Sequence, residues 1–266
     1  MSKLLFIGAG KMASAIAGGI IKTGVFSPQE LAAFDISPQA AESFTANTGI
    51  LCGTDVQEEL QKAEKVLIAV KPQYLAAALE TLKDKFAGKL IISIVAGVKI
   101  STLEELTGSK RIIRVMPNTP ALVGKGAAAF AGADGVSEED LAFASNIFNA
   151  AGMGIRVEEK LLDAVTGLSG SGPAYVFEFI QALADGGVAE GLPRDTALRL
   201  AAQTVLGSAA MVLESGLHPA VLKDQVTSPG GTTSRGLEKL AEKAFSGTVI
   251  QAVRAASARS AELGKK

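Results

Sequence analysis

The segment Lys3-Leu4-Leu5-Phe6-Ile7-Gly8-Ala9-Gly10-Lys11-Met12-Ala13 decides the fold of this 266-residue chain. Its apolar first half is typical of a buried strand, and its second half has the spacing Gly-x-Gly-x-x-Ala before a helix rich in small residues. Gly8 permits the tight turn, Gly10 lets a pyrophosphate approach the backbone, and Ala13 keeps the helix close to the sheet. Free N–H groups at the helix start favour that pyrophosphate. The segment therefore predicts a dinucleotide-binding turn, with a glycine turn kept only for packing as the alternative.

A second apolar strand, Leu31 to Phe34, ends at Asp35. This is close to the spacing at which an acidic residue meets the adenosine ribose in dinucleotide-binding folds. Further apolar strands alternate with helical segments, at 65–70, 90–95 and 111–116. Strands alternating with helices indicate a doubly wound, mostly parallel sheet. Two weaker strands, near 127–130 and 155–157, are expected to extend one edge of that sheet.

The composition changes near residue 160. Residues 1–160 alternate strands and helices, whereas 161–266 contain no convincing strand and show alanine-rich helical periodicity. We therefore predict an α/β fold with a dinucleotide-binding Rossmann domain over 1–160. An all-helical dimerisation and substrate-binding domain follows over 161–266. The helical half is too apolar and too short to form an independent core. It is therefore predicted to pack against a second copy in a homodimer. A monomeric helical cap is the alternative.

Bulk composition excludes several classes of partner. Hydrophobic residues make up 48% of the chain, so it can bury a large core. The net charge of −1 favours neither nucleic acid nor an anionic membrane surface. The single cysteine, Cys52, allows no intrachain disulfide and no cysteine-rich metal site, and we expect no metal. No run is judged long and apolar enough to span a bilayer. We therefore expect a cytoplasmic protein without a membrane partner.

Loops at the carboxyl ends of the strands supply the candidate cofactor residues, because open parallel sheets bind ligands there. Small residues at Ala96 and Gly97 would let a nicotinamide ring lie against the backbone, and Asn118 offers an amide for the carboxamide or the ribose hydroxyls. Simpler roles are a turn residue for Asn118 and a solvated charge for Lys71. The full cofactor-binding set is Ile7, Gly8, Ala9, Gly10, Lys11, Met12, Asp35, Ala69, Val70, Lys71, Pro72, Ala96, Gly97 and Asn118.

Two loops of the helical half are rich in glycine and hydroxyl groups, at 167–173 and 227–233. Each is predicted to expose backbone N–H groups at a helix start, a geometry that suits a small carboxylate. A flexible linker is the alternative for both. Dense hydroxyls beside a proline favour an anion site in the second loop. His218 is the only histidine, and we interpret it as a surface-loop or helix-entry residue.

Five stretches of the chain resemble pyrroline-5-carboxylate reductases: Ile7–Met12, Ala69–Pro72, Arg114–Pro120, Gly170–Tyr175 and Leu222–Thr233. The last two are highly specific for that family, and all five occur in the right order over nearly the whole chain. The resemblance implies hydride transfer from a reduced nicotinamide to the imine carbon of 1-pyrroline-5-carboxylate, which gives L-proline in the final step of proline biosynthesis. It also implies intertwined helical dimers, which in some members assemble into rings.

In that family the Ser-Pro-Gly-Gly-x-Thr loop holds the substrate carboxylate. The resemblance therefore implies the substrate-binding residues Ser228, Gly230, Gly231, Thr232 and Thr233. Thr233 is the candidate catalytic residue, a hydroxyl that orients the ring or relays a proton. A cyclic imine protonated on nitrogen is already electrophilic, so its reduction depends on placement more than on proton transfer. Reduction of a carbonyl would instead demand an acid such as His or Lys.

The cofactor is NADPH or NADH. Many relatives are taken to prefer NADPH, whose 2′-phosphate is bound by Arg, Ser or Asn after the second strand. Here that strand ends in Asp35-Ile36-Ser37, and no Arg or Lys follows until Lys62. A carboxylate repels a 2′-phosphate but can accept hydrogen bonds from both ribose hydroxyls of NADH. We predict that NADH is used at least as well as NADPH, unless Asp35 turns away and Ser37 accepts the phosphate.

Two rival functions remain open from the sequence. A β-hydroxyacid dehydrogenase shares the opening motif and a helical second domain, but it needs a catalytic lysine on a helix of that domain. The helix after Pro173 has none. A nicotinamide-sensing protein without catalysis is the second rival, although the hydroxyl-rich loop would then lack a purpose.

Overall fold

The computed structural model describes residues 3–264, which pack as two compact units. The first contains residues 3–171 and 255–264, and the second contains residues 172–254. The first unit thus extends past residue 160 and includes the end of the chain's last helix. The predicted boundary between residues 160 and 161 stays a prediction.

One eight-stranded sheet organises the first unit, in the order β3-β2-β1-β4-β5-β6-β7-β8. The strands are β1 (Leu4–Ile7), β2 (Leu31–Phe34), β3 (Cys52–Gly53), β4 (Lys65–Ile68), β5 (Leu90–Ser93), β6 (Ile112–Met116), β7 (Gly126–Gly132) and β8 (Gly152–Arg156). Neighbouring strands are parallel except for β6 and β7. The doubly wound, mostly parallel sheet is therefore confirmed. The two weak strands are confirmed at one edge as β7 and β8, and both begin earlier than expected.

Helices cover both faces of this sheet. They are α1 (Lys11–Lys22), α2 (Pro38–Thr48), α3 (Gln57–Lys62), α4 (Leu75–Glu80), α5 (Ile100–Thr107), α6 (Glu138–Asn149) and α7 (Leu162–Val165). Successive residues of β1 enter different cores, with Leu4 and Phe6 in one cluster and Leu5 and Ile7 in the other. Because both faces are buried, the central strands are continuously apolar rather than alternating.

The second unit is helical. Its helices are α8 (Gly172–Ala189), α9 (Arg194–Ser215), α10 (Pro219–Gln225), α11 (Thr232–Glu242) and the first part of α12 (Phe245–Leu263). Between residues 161 and 264 the structure has no strand, as the sequence predicts. Its fully buried apolar cluster consists of Ala184, Ala197 and Ala201. Large side chains stay exposed, among them Leu206 and Leu213. A single copy thus leaves apolar helix surface uncovered.

Helix α9 is long and apolar enough to cross a membrane by length and composition alone, and most of it is exposed. The expectation that no segment meets this criterion is therefore wrong. The physical reason is its many alanines and leucines with few charges. A helix that pairs with another chain and a helix that spans a bilayer can share this composition.

Candidate active site

The turn after β1 combines an unusual backbone conformation with close packing. Gly8 has a φ of +102°, and a Cβ built on it would lie 2.8 Å from the carbonyl carbon and oxygen of Ala69. The turn can therefore pass β4 only with glycine at this position. At Gly10, by contrast, no heavy atom of the described residues lies within 4 Å of a built Cβ. Open space beside the start of α1 is where a pyrophosphate would need to lie.

Helix α1 offers free backbone donors at that space. It begins at Lys11, has no acidic residue in its first turn, and receives no hydrogen-bonding cap from a side chain in the described range. Its first N–H groups and the positive end of its dipole thus favour an anion. The predicted phosphate cradle has the geometry that its sequence requires. Cofactor binding by its residues stays a prediction, for Ile7, Gly8, Ala9, Gly10, Lys11 and Met12 alike.

Asp35 is fixed at the end of β2 by two backbone amides. Its Oδ2 accepts a hydrogen bond from Ala9 N at 2.8 Å, and its Oδ1 accepts one from Ser37 N at 2.9 Å. These are charge-assisted bonds, so turning the carboxylate away would sacrifice both. The acidic group is therefore held beside the glycine turn, where the sequence expects the adenosine ribose.

Cys52 is half-buried on β3, paired with Ala33 of the strand that leads to Asp35. Burial, and then the negative charge of Asp35, raise the pKa of its thiol to about 11. The thiol is consequently protonated at neutral pH, and it lies next to the expected ribose position without a charge of its own.

The remaining loops of the predicted cofactor set follow β4 and β5 on the same edge of the sheet. Lys71 and Pro72 are exposed, and Pro72 opens a 3₁₀ turn. Gly97 has a φ of +76°, and the neighbouring Ala96 is exposed, so backbone is accessible there as expected. The structure thus brings Ala69, Val70 and these residues to the edge that carries the glycine turn. Their contacts with a cofactor stay a prediction.

Asn118 is buried and already engaged on both sides of its amide. Its Nδ2 donates to Ser169 O at 3.0 Å, and its Oδ1 accepts from Ala127 N at 2.8 Å. The side chain therefore ties the segment after β6 to β7 and to residue 169. A role of Asn118 in cofactor binding stays a prediction. Only the second N–H of its amide group is available for such a contact.

The loop predicted at 167–173 is instead helical. Residues Thr166–Gly170 form a π-helix that runs towards α8, and Ser171 N donates to Thr166 O at 2.8 Å. Because its amides are used inside the helix, the prediction of an exposed carboxylate-binding turn here is wrong. Gly170 has a packing role, since a Cβ on it would collide with the Cε of Met116.

The loop at 227–233, in the second unit, has the predicted anion-binding geometry. Gly230 has a φ of +68°, and Gly231 is the N-cap of α11. No side chain among residues 3–264 caps this helix, and its first turn contains no acidic residue. The backbone donors of Thr232 and Thr233 thus point out of a positive helix end. A Cβ on Gly231 would collide with Ser228 Oγ, so a larger residue at this position would force the Ser228 side chain to move.

His218 is the N-cap of α10, where its Nδ1 accepts a hydrogen bond from Ala220 N at 3.2 Å. The predicted helix-entry role is therefore confirmed. Within the described range, His, Cys, Asp and Glu side chains form no group of three that could hold a metal ion.

A buried ionic network was missed by the sequence reasoning. Arg114 on β6 is 7% exposed, and its Nη1 lies 3.2 Å from Glu159 Oε1. Its Nη2 lies 4.0 Å from Asp163 Oδ1, which accepts a hydrogen bond from Ser260 Oγ at 2.7 Å. The available signal was an arginine inside the otherwise apolar strand Ile112–Met116. A buried guanidinium must find carboxylate partners.

Comparison with known proteins identifies the family. A family model described as pyrroline-5-carboxylate reductase dimerisation matches residues 159–263. A second, described as NADP oxidoreductase, coenzyme F420-dependent, matches residues 3–97. The pyrroline-5-carboxylate reductase of Arabidopsis thaliana is 47% identical over 264 residues, which cover 99% of this chain and 96% of the relative. This chain belongs to the pyrroline-5-carboxylate reductase family.

Solved structures of the pyrroline-5-carboxylate reductase family share the whole fold. The enzyme from Coxiella burnetii matches with a TM-score of 0.94 and 35% identity, covering 100% of this chain and 99% of that one. The Plasmodium falciparum enzyme with NADP bound matches with a TM-score of 0.88 and 38% identity, covering 99% and 98%. The Rossmann-type fold, the oxidoreductase class and the helical dimerisation domain predicted from the sequence are thus confirmed. The comparisons place the chain in an NADP-dependent oxidoreductase family.

Proposed function

We propose that this chain catalyses the last step of proline biosynthesis, the reduction of 1-pyrroline-5-carboxylate to L-proline. The observation that carries the proposal is the uncapped N-terminus of α11, whose first turn lacks acidic residues and follows two glycines. It suits a small carboxylate, and the membership of the family supplies the substrate. Adding 1-pyrroline-5-carboxylate to enzyme with NADH or NADPH should lower the absorbance of the reduced nicotinamide. An unchanged absorbance with both cofactors would refute the activity.

Each predicted site residue then has a role that its geometry supports. The N–H groups at Thr232 and Thr233 hold the substrate carboxylate, and Ser228 with Gly230 and Gly231 shapes the turn that exposes them. The Thr233 hydroxyl orients the imine nitrogen. When bound, the reduced nicotinamide supplies the hydride to the C=N carbon. The residues of the chain contribute placement, because a protonated imine needs no further acid.

For the cofactor, we propose that NADH serves at least as well as NADPH. Asp35 supports this, because the hydrogen bonds from Ala9 and Ser37 hold its carboxylate in place. A 2′-phosphate could be accommodated if the Asp35 side chain turned away, but this movement would break both hydrogen bonds. The ratio of kcat/KM for NADH to that for NADPH should be one or more. A large NADPH advantage in the wild type would contradict the proposal.

Substitutions at Asp35 separate its charge from its hydrogen bonds. Asp35→Ser should move the kcat/KM ratio towards NADPH. Asp35→Asn is the matched control for shape, because an amide oxygen can still accept from Ala9 N while the charge is gone. We expect Asp35→Asn to shift the ratio in the same direction with a smaller loss of NADH turnover. An unchanged ratio in both variants would show that the charge does not set the preference.

We also propose a homodimer in the cytoplasm, with a ring of dimers as the larger assembly and with neither nucleic acid nor membrane as a partner. Helix α9 lies inside the region matched by the dimerisation model, which favours a second copy rather than a bilayer as the cover for its apolar surface. Sedimentation of the purified protein tests the assembly. Fractionation of expressing cells tests the location.

A further inference from the structure

The last turn of α12 covers the turn that follows β5. A Cβ built on Gly97 would lie 3.7 Å from the Cβ of Leu263, and one built on Gly264 would lie 3.2 Å from Gly97 O. Residues 255–264 belong to the same compact unit as this turn. The end of the helix therefore lies directly against backbone that the cofactor is expected to contact.

Ser260 anchors this end of the helix. It is 6% exposed, and its Oγ donates a 2.7 Å hydrogen bond to Asp163 Oδ1. A hydroxyl bound to a carboxylate at this distance is a charge-assisted bond, about twice as strong as a neutral one. Loss of the hydroxyl would leave the carboxylate of Asp163, whose side chain is 35% exposed, with one donor fewer.

The ionic network around Arg114 also holds the end of this turn at which α5 begins. Glu159 Oε1 accepts from the N–H of Ile100 at 2.8 Å, and Ile100 is the first residue of α5, three positions after Gly97. Arg114 lies between the two carboxylates, 3.2 Å from Glu159 and 4.0 Å from Asp163. One buried guanidinium thus joins the anchor of the turn to the anchor of the helix that covers it.

We propose that Ser260 is a positioning residue for the cofactor. Through Asp163 it holds the last turn of α12, and through Leu263 that turn fixes the Ala96–Gly97 backbone against which the nicotinamide lies. The proposal rests on the proposed function in one respect, namely that the nicotinamide lies beside this turn. Ser260 touches no reacting atom, so its effect should be on cofactor binding and hydride placement rather than on the substrate carboxylate.

Fluorescence titration of the full-length enzyme with NADH, and with NADPH, tests the proposal directly. Ser260→Ala should raise the dissociation constant and the KM for the cofactor by about threefold to tenfold, with the KM for 1-pyrroline-5-carboxylate within about twofold of wild type. The emission of the bound reduced nicotinamide should also change, because it reports the surroundings of the ring. Leu263→Gly removes the Cβ that lies against Gly97, which alanine would keep, and it should weaken cofactor binding in the same direction by about twofold to fivefold.

Glu262→Gln is the matched control, because it removes only the exposed ion pair with Arg259 on the same turn. It should leave both constants unchanged. Cofactor binding in Ser260→Ala and Leu263→Gly as tight as in Glu262→Gln would overturn the proposal, as would a lower melting temperature without a selective change in cofactor KM. If Ser260→Ala does not fold, Leu263→Gly decides. Wild-type enzyme that binds NADH without reducing the imine would refute the proposed function while the binding constants still decide this inference.

Discussion

The two units of the chain are stabilised in different ways. The first buries large side chains completely, among them Phe6, Phe44, Phe86 and Phe148. The second has a fully buried apolar cluster of three alanines and leaves Leu206 and Leu213 more than half exposed. Burying one large apolar side chain contributes roughly 1.5–3 kcal/mol, and an alanine contributes much less. The sheet unit therefore has the larger core, whereas the helical unit leaves apolar surface that a second copy can cover.

The largest expected effect comes from placing a charge on the exposed apolar surface of α9. Leu206→Glu would bring an unpaired carboxylate into the pairing surface, at a cost of several kcal/mol by the usual order of magnitude for buried charge. We expect the dimer to dissociate at micromolar concentration and the activity to fall more than tenfold. Sedimentation and the rate of reduced-nicotinamide oxidation measure the two effects.

Leu51→Glu is the control for that substitution, since Leu51 is 81% exposed in the sheet unit. It should sediment as the wild type does. A dimer that survives Leu206→Glu would show that this part of α9 is not covered by the second copy.

The next effect separates folding from binding within the sheet unit. Gly10→Ala places a methyl group in open space, so the melting temperature should stay unchanged while the dissociation constant of NADH rises about tenfold or more. Gly8→Ala forces alanine into a φ of +102° and against the Ala69 carbonyl. It should destabilise the fold by about 1–3 kcal/mol or more. Calorimetry and NADH titration on both variants give the comparison, which fails if Gly10→Ala melts earlier.

A smaller effect is expected at the anion site of the helical unit. Thr233→Val keeps the shape of the side chain and removes its hydroxyl. We expect kcat to fall about tenfold, which is less than the roughly 10²–10⁴-fold typical of a general acid or base, because the hydroxyl orients an imine that is already protonated. The affinity for NADH should be retained. Steady-state kinetics with both substrates measure this. Full activity in Thr233→Val would show that the backbone amides orient the substrate without the hydroxyl.

The smallest effect concerns the stability of the sheet unit in acid. Burial alone would raise the pKa of Asp140, but hydrogen bonds from the Arg111 guanidinium and from Ser137 outweigh it and hold the pKa below its ordinary value of 3.8. The carboxylate therefore stabilises the fold above that pH, and the contribution is lost as the pH falls through the lower, folded-state pKa.

Asp140→Asn should accordingly lower the free energy of unfolding by about 1–3 kcal/mol near neutral pH. The difference from wild type should shrink below about pH 4. Urea denaturation at several pH values checks this, and the sedimentation of the dimer should not change. If the difference in free energy of unfolding between wild type and Asp140→Asn grew as the pH fell, the predicted direction of the pH dependence would be wrong.

Much of the fold follows from local patterns in the sequence. The apolar runs of β1, β4 and β5 are buried on both faces, and the alanine periodicity predicts helices close to those observed. The expectation about membrane spans was wrong because α9 is apolar along most of its length, a composition that a helix pairing with another chain shares with a membrane span. The glycine-rich pattern at 167–173 predicts a loop and not the observed π-helix at Thr166–Gly170. It gives no sign that Gly170 lies against the side chain of Met116, which is distant in sequence.

In the candidate site, too, features set by neighbouring residues could be predicted and features set by long-range contacts could not. Turns defined by consecutive residues, such as Gly8–Gly10 and Ser228–Gly231, could be predicted, because their conformations depend on local glycine and helix-start chemistry. The engagement of Asn118 and the network around Arg114 could not. The bond from Asn118 to Ser169 and the contacts of Arg114 with its carboxylates all join residues more than forty positions apart along the chain.

The raised pKa of Cys52 has a consequence for the durability of the enzyme. At pH 7 a thiol with a pKa of about 11 has a thiolate fraction on the order of one in ten thousand. The thiolate is the nucleophile that attacks peroxides and alkylating agents, so the chain's single sulfhydryl should react slowly at this pH. Cys52 is therefore expected to resist oxidation under conditions that modify cysteines of ordinary pKa.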